Sequence, residues 1–350
     1  MTWANSIFLP PELVFEVVAH CDAPELRALA QTSRDSYEFC LREQIINHRH
    51  PLTLPHAVTS GWLDERKTDG LYDHISAVAI DVSEDIWLDA LNPNDAQVDA
   101  EFDRTRLDPL YDLLLSRSRR GKTTSLHIYT HGEKDCNVFL LVDIITHAFW
   151  IAPDAIDSLA IDVSVAECDE TTLHAYARER AHDVRSLGLF KGGRTCAPVT
   201  SLAISALAVN ADDVFKSLVG MASSVIAKGP SVEVPLESLS MAVRWKPYSN
   251  ASSNKSDAQG RGYALDRVSV YTFTFNFTIS ATLQRLHFED RGLSSHLPAS
   301  GWSYPEAHLV WPKLAEIQVD MGLEHSANSE QSLVLFGHDG DGRTQFEIRR

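Results

Sequence analysis

A few short runs in this 350-residue chain carry residue types that could do chemistry. Arg119–Ser125 reads RRGKTTS, and Gly-Lys-Thr is the end of a phosphate cradle, in which backbone N–H groups and a lysine hold a nucleotide. The upstream glycine of that cradle is missing, and the segment before it, RLDPLYDLLLSRSRR, has the spacing of a helix that ends there. Arg117, Arg119, Arg120 and Lys122 then sit where cations complement the C-terminal end of a helix dipole. GHDGDGRTQFE near the C-terminus resembles a calcium loop. Setting Gly342 on the invariant glycine, however, puts Gly337 in the first ligand position and Ile348 in the last, and neither side chain has an oxygen to give. His48, His50 and His56 lie close together, but HRHP has neither helical nor zinc-finger spacing and reads as solvated linker. Cys21, Cys40, Cys136, Cys168 and Cys196 form no CxxC pair and are odd in number, which argues against a disulfide framework and for a reducing compartment. No GxSxG, HExxH or supportable Cys-His arrangement occurs, and no pair among the many carboxylates is singled out. Neither catalysis nor a cofactor nor a metal is expected.

The elements that must position any other function follow from bulk properties first. With 44% apolar residues, the chain can bury a core and hold one small module plus one larger domain. A net charge of -17 disfavours nucleic acid and anionic membranes, since both bind through Lys and Arg. The most apolar stretch, NVFLLVDIITHAFWIA, falls short of the roughly 20 residues a spanning helix needs and contains Asp143 and His147, so a buried helix is expected there. MTWANSIFLPPELVF lacks the basic start and apolar core of an export signal, which gives the glycosylation triplets at Asn250, Asn254 and Asn276 little weight. Cytosol or nucleus is the expected location.

The first fifty residues predict three short helices. Pro10 and Pro11 stand at a helix start, and ELVFEVVAH places Leu13, Val14, Val17 and Val18 on one stripe. Asp22 can cap a second helix carrying Leu26 and Leu29, and Ser33 a third carrying Tyr37, Cys40, Leu41 and Ile45. Helices this short bury too little to fold firmly alone, because domains of about 40 residues usually need a metal, disulfides or a partner. The order Leu9-Pro10-x-Glu12-Leu13, Val17, Asp22-x-Pro24-x-Leu26, Leu29, Ser33-Arg34, Tyr37 resembles an F-box, the module that docks on the Skp-type adaptor of SCF ubiquitin ligases. The resemblance covers about Ser6 to Ile46 and departs from the common pattern at Cys21, at Thr32-Ser33 and at Tyr37. It implies that Leu9, Pro10, Leu13, Val17, Leu26 and Leu29 face the adaptor or support that face. The plainer reading is a helical cap on the domain behind it.

That domain reads as a degraded repeat. TSLHIY at Thr124, DSLAID at Asp157, RSLGLF at Arg185, TSLAIS at Thr200 and ESLSMA at Glu237 share x-Ser-Leu-x-apolar; QRLHFE at Gln284 and AEIQVD at Ala315 keep it without the serine, and SAVAID at Ser76 is an earlier copy. Each puts its leucine and the apolar residue two later on one strand face. The segments RLDPLYDLLLSRSRR, NVFLLVDIITHAFWIA, ETTLHAYARERA and ADDVFKSLVGMASSVIAK between copies have helical spacing, so the expected sheet is parallel, with helical crossovers and the leucines stacked inside. This resembles the irregular leucine-rich-repeat domains that follow F-boxes in filamentous fungi, with spacings of about 15 to 47 residues against a regular 20 to 29. Leu187 and Leu202 are too close for a helical crossover, so one of them is a hairpin return or an edge feature. VSVYTFTFNFTI at Val268 fits a strand by composition and a helix by architecture, and the helix is preferred.

The expected fold is therefore α/β: a three-helix F-box-like module over 1–48, a linker over 49–73, a leucine-rich-repeat-like β-α solenoid with a parallel sheet over 74–332 bearing a mobile loop at 247–262, and a closing β-hairpin over 333–350 that protects the last strand edge. Ser125, Ser158, Ser186, Ser201 and Ser238 should stack as a column. The outward strand positions His127, Tyr129, Asp162, Phe190, Ser205, Ser240, His287, Glu289, Gln318 and Asp320 form a candidate substrate face, in which aromatics anchor and carboxylates select basic partners; an ordinary solvated sheet face is the alternative. Together the two resemblances imply a substrate-recognition subunit that binds a Skp-type adaptor, through it a cullin scaffold, and a protein substrate not named by the sequence. The competing expectations are an interaction scaffold without a ligase role and an enzyme with its pocket between repeats.

Overall fold

The computed structural model describes residues 10–47, 51–54, 71–83, 107–132, 134–165, 170–186, 195–208, 211–227, 232–245, 282–291, 315–321, 332–339 and 342–349. The chain divides into two compact units, Met1–Ala79 and Ile80–Arg350. Leu9, the 247–262 loop, the 268–279 segment, Phe190 and the histidines at 48, 50 and 56 lie outside the described residues.

In the first unit each helix start is chemically marked. Helix α1 (Pro11–His20) begins with proline at its first position, where the missing N–H would have no partner in any case. Helix α2 (Ala23–Ala30) opens with a reciprocal capping box: Glu25 N–H donates to Asp22 Oδ1 at 3.0 Å and Asp22 N–H donates to Glu25 Oε2 at 2.9 Å. Helix α3 (Arg34–Ile46) is capped by Ser33 Oγ, which accepts from Ser36 N–H at 3.0 Å. Val18, Leu26 and Cys40 meet in the middle, and Val14, Cys21, Leu29, Ala30 and Phe39 pack half-buried around them. The span 49–73 is more than a linker. Leu52 and Leu54 are buried in a short strand β1 (Leu52–Leu54), which lies beside β2 (Ala77–Asp81) in the sheet order, and Leu71–Asp73 forms a 3-10 turn with Leu71 and Tyr72 buried. Two leucines around Thr53, flanked by Pro51 and Pro55, make a strand too short to show a period.

The second unit is α/β, built on a parallel sheet. Its strand order is β3 (Thr124–Tyr129), β5 (Ile156–Val165), β6 (Ser201–Ala208), β7 (Ser238–Trp245), β8 (Arg285–Arg291), β9 (Glu316–Met321), with the two-residue β4 (Asp135–Cys136) pairing β5 off this path. Every one of these pairings is parallel. Strand order thus follows chain order, the arrangement of a solenoid-like sheet. Among the described residues four helices lie between the strands: α4 (Asp108–Arg119), α5 (Val138–Ile151), α6 (Glu170–Ser186) and α7 (Ala211–Ile226). Leu126, Leu159, Leu202, Leu239 and Leu286 stand in register and are at most 8% exposed. Each such burial stabilises the fold by about 1.5–3 kcal/mol before the cost of ordering the chain. α7 packs on β6 and β7, and α6 packs between α5 and α7.

One copy of the repeat does not enter the strand register. Ser186 is the last residue of α6 and is absent from the serine column, since Ser158 pairs directly with Ser201; residues 187–190 lie outside the described residues. With Leu187 removed from the series, the paired positions are separated by 31 residues (Leu286 to Ile317) to 47 (Leu239 to Leu286), which leaves room for a crossover each time. At the C-terminus β10 (Ser332–Asp339) and β11 (Gly342–Arg349) pair antiparallel in a separate two-stranded sheet. The hairpin does not hydrogen bond to β9 and so does not extend the large sheet.

Candidate functional site

The Gly-Lys-Thr run resolves into a helix stop. Gly121, at φ +67°, follows the Arg120 cap of α4. Its N–H donates to the Ser118 carbonyl at 3.1 Å, and Lys122 N–H donates to the Arg117 carbonyl at 3.0 Å. That is a Schellman motif, which uses up the very N–H groups a phosphate would need. A phosphate cradle also leads from strand into helix, whereas this run leads from α4 into β3. Arg117 is 4% exposed and donates Nε to the Thr123 carbonyl at 3.2 Å, so it pins the turn rather than the helix carbonyls. Burial pushes its guanidinium below the usual arginine range, while the nearby Asp157 acts in the opposite direction. The run aligned with a calcium loop forms the antiparallel strands β10 and β11. No group of His, Cys, Asp or Glu among the described residues is arranged to hold a metal.

Two surfaces remain. On the first unit, Leu13 and Val17 of α1 are 46% and 48% exposed, while Val18 on the same helix is 0% exposed. The apolar stripe of α1 is wider than its neighbours cover: Val14 and Val18 pack into the cluster, while Leu13 and Val17 along its other edge stay open. Leu13, Glu16, Val17, His20 and Cys21 line a shallow groove on this surface, and Pro10 is exposed at the start of the helix. Of the other positions expected to face an adaptor or support that face, Leu26 is fully buried and Leu29 half-buried, so both lie beneath the surface and hold α2 in place. Tyr37 on α3 is 43% exposed.

On the second unit the sheet has one packed face and one open face, because the burial of β3 and β6 alternates residue by residue. Register gives the open face three rows. Ser125, Ser158, Ser201, Ser238 and Arg285 form the first; His127, Ala160, Ala203, Ser240 and His287, with Gln318 beyond, the second; Tyr129, Asp162, Ser205 and Ala242, with Glu289 and Asp320 beyond, the third. Four of the five serines expected in a column are therefore in register. In the first two rows the middle strands offer only small side chains, between the His127 ring of β3 and the Arg285–His287 pair of β8.

The polar contacts concentrate on the β3–β5–β7 side. The His127 and Tyr129 rings lie 5.2 Å apart, tilted by 35°. Burial holds His127 below its ordinary pKa, with Asp162 pulling the other way. Burial, and then the Asp81 carboxylate, pushes Tyr129 upward, so its phenol stays neutral at physiological pH. Arg244 on β7 reaches across β6, bringing Nη1 to 3.7 Å from Asp162 Oδ1. Ser205, between them in the third row, has its Oγ shut off from solvent with no hydrogen-bond partner. Ser240 Oγ and His287 Nδ1 share a hydrogen bond of 3.0 Å.

Asp81, Ser83 and Arg244 were not singled out by motif reasoning. Asp81 is 7% exposed and accepts from Ser83 Oγ at 2.7 Å and Ser83 N–H at 3.0 Å; Ser83 Oγ in turn accepts from His131 N–H at 2.9 Å. A signal existed: Ala-Ile-Asp-Val-Ser occurs at 79–83 and again at 160–164. In the second copy Ser164 Oγ donates to Asp135 Oδ1 at 2.9 Å, so in both copies the serine anchors a carboxylate near the C-terminal end of its strand. No family model, no curated protein and no solved structure matches the chain.

Proposed function

We propose that the chain is the substrate-recognition subunit of an SCF-type ubiquitin ligase. Helices α1–α3 dock on a Skp-type adaptor and through it a cullin scaffold, and the open sheet face takes a protein substrate. In this reading the chain is not itself catalytic; the transfer chemistry belongs to its partners. The observation that carries the reading is the exposure of Leu13 and Val17, at 46% and 48%, on a helix whose Val18 is already fully buried. Apolar surface left open beside a small finished core is what a docking module requires. The capping box at Asp22 and Glu25, and the parallel strands added in chain order, also support it. Among the described residues no helix is long and apolar enough to cross a membrane.

The test is capture of the full-length chain by a purified Skp-type adaptor. Leu13→Ala and Val17→Ala together should abolish capture with little change in the circular dichroism spectrum, because both side chains already face outward. If the natural chain is not captured, or if the double variant is captured equally well, the reading fails. Capture without ubiquitin transfer in the reconstituted assembly would favour a scaffold over a ligase receptor.

A further inference from the structure

We propose that the corner of the open sheet face formed by Tyr129, His127 and Asp162 selects a partner peptide bearing an arginine or lysine, with Arg244 as the internal competitor for the same carboxylate. The inference rests on the open face being the substrate surface, and it adds the chemistry of the substrate.

The Asp162 side chain is 55% exposed, and its nearest cation, Arg244 Nη1, stands 3.7 Å away, beyond hydrogen-bond distance. The carboxylate therefore holds that guanidinium loosely, and an incoming one able to make two parallel N–H···O bonds would outcompete it. Arg244 also marks the place: a guanidinium from two strands away is already drawn there. Next to the carboxylate in register is Tyr129, whose half-buried ring and its His127 neighbour form an aromatic shelf on which a cation can rest. Asp81 adds negative potential at Tyr129. His127, held neutral at physiological pH by burial, adds no repelling charge. The floor beside them is Ala160 and Ala203, small enough for a peptide backbone to approach. The net charge of -17 steers basic partners toward the chain and acidic ones away.

The test uses three fluorescein-labelled peptides with identical neutral flanks and a central Arg-Arg, Gln-Gln or Glu-Glu pair, titrated into the full-length chain. Arg-Arg should bind and Glu-Glu should not. The isosteric Asp162→Asn should weaken Arg-Arg binding by about tenfold, while Arg244→Ala should strengthen it severalfold by removing the competitor. Tyr129→Leu, which keeps apolar bulk but loses the ring, should also weaken it. Equal binding of Arg-Arg by Asp162→Asn, or binding of Glu-Glu that vanishes with Arg244→Ala, overturns the proposal. Adaptor capture, run in parallel, separates the two ideas: capture without Arg-Arg binding overturns this inference alone, and Arg-Arg binding without capture overturns the ligase reading alone.

Discussion

Helices α1 and α5 are both apolar segments, of 10 and 14 residues, yet they spend their side chains differently. In α5, Val138, Leu141, Val142, Ile144, Ile145, Ala148 and Phe149 are all at most 3% exposed. In α1, Val18 is buried but Leu13 and Val17 remain almost half exposed. The first unit keeps a cluster centred on Val18, Leu26 and Cys40, whereas the second seats helices over a register of leucines. The contrast teaches that apolar content alone does not report stability: what counts is whether the chain itself supplies the covering surface. In the first unit part of the apolar surface of α1 stays open to solvent beside a small buried cluster.

The sharpest way to break this contrast is to hollow out both cores. Phe149→Ala, at a fully buried aromatic, should cost about 3–5 kcal/mol, measured as a fall in the urea midpoint of the second unit. Leu26→Ala should cost about 2–4 kcal/mol, but its signature should be local. Hydrogen exchange over 10–47 should accelerate while β5, β6 and β7 keep their protection. Equal acceleration everywhere would show that the two units do not unfold separately. Next in size is Gly121→Ala, expected to cost about 1 kcal/mol. Nothing lies within 4 Å of the added methyl, so the whole effect is backbone strain at φ +67°. The smallest effect should come from acid. Burial lowers the His127 pKa in the folded chain, so below its ordinary value of about 6.5 the unfolded chain binds the proton more readily and stability declines as pH falls. His127→Gln should flatten that decline between neutral and mildly acidic pH in thermal melts.

Much of the second unit was legible because two periodicities coincided. The x-Ser-Leu-x-apolar phrases fixed strand faces, and helical spacing in NVFLLVDIITHAFWIA and ADDVFKSLVGMASSVIAK marked the crossovers between them. RSLGLF misled because a helix end can spell the same letters: Arg185 and Ser186 close α6, and Leu159 pairs directly with Leu202. β1 and β4 are three and two residues long, too short for any period to register. The polar corner was half visible. Tyr129 and Asp162 followed from strand alternation, but the link from Arg244 to Asp162 spans two strands and no local spacing encodes it. The missing upstream glycine already set Gly121 apart from a phosphate cradle, while the helix stop that engages the Gly121 and Lys122 amides needed the backbone itself.

Strand order that follows chain order has a further consequence. Each strand from β5 to β8 hydrogen bonds to the strands before and after it along the main path, so adding or deleting residues in a crossover alters one connection and leaves the ladder untouched. Such a sheet can lengthen or shorten by whole strand-and-crossover modules during evolution while its leucine register survives.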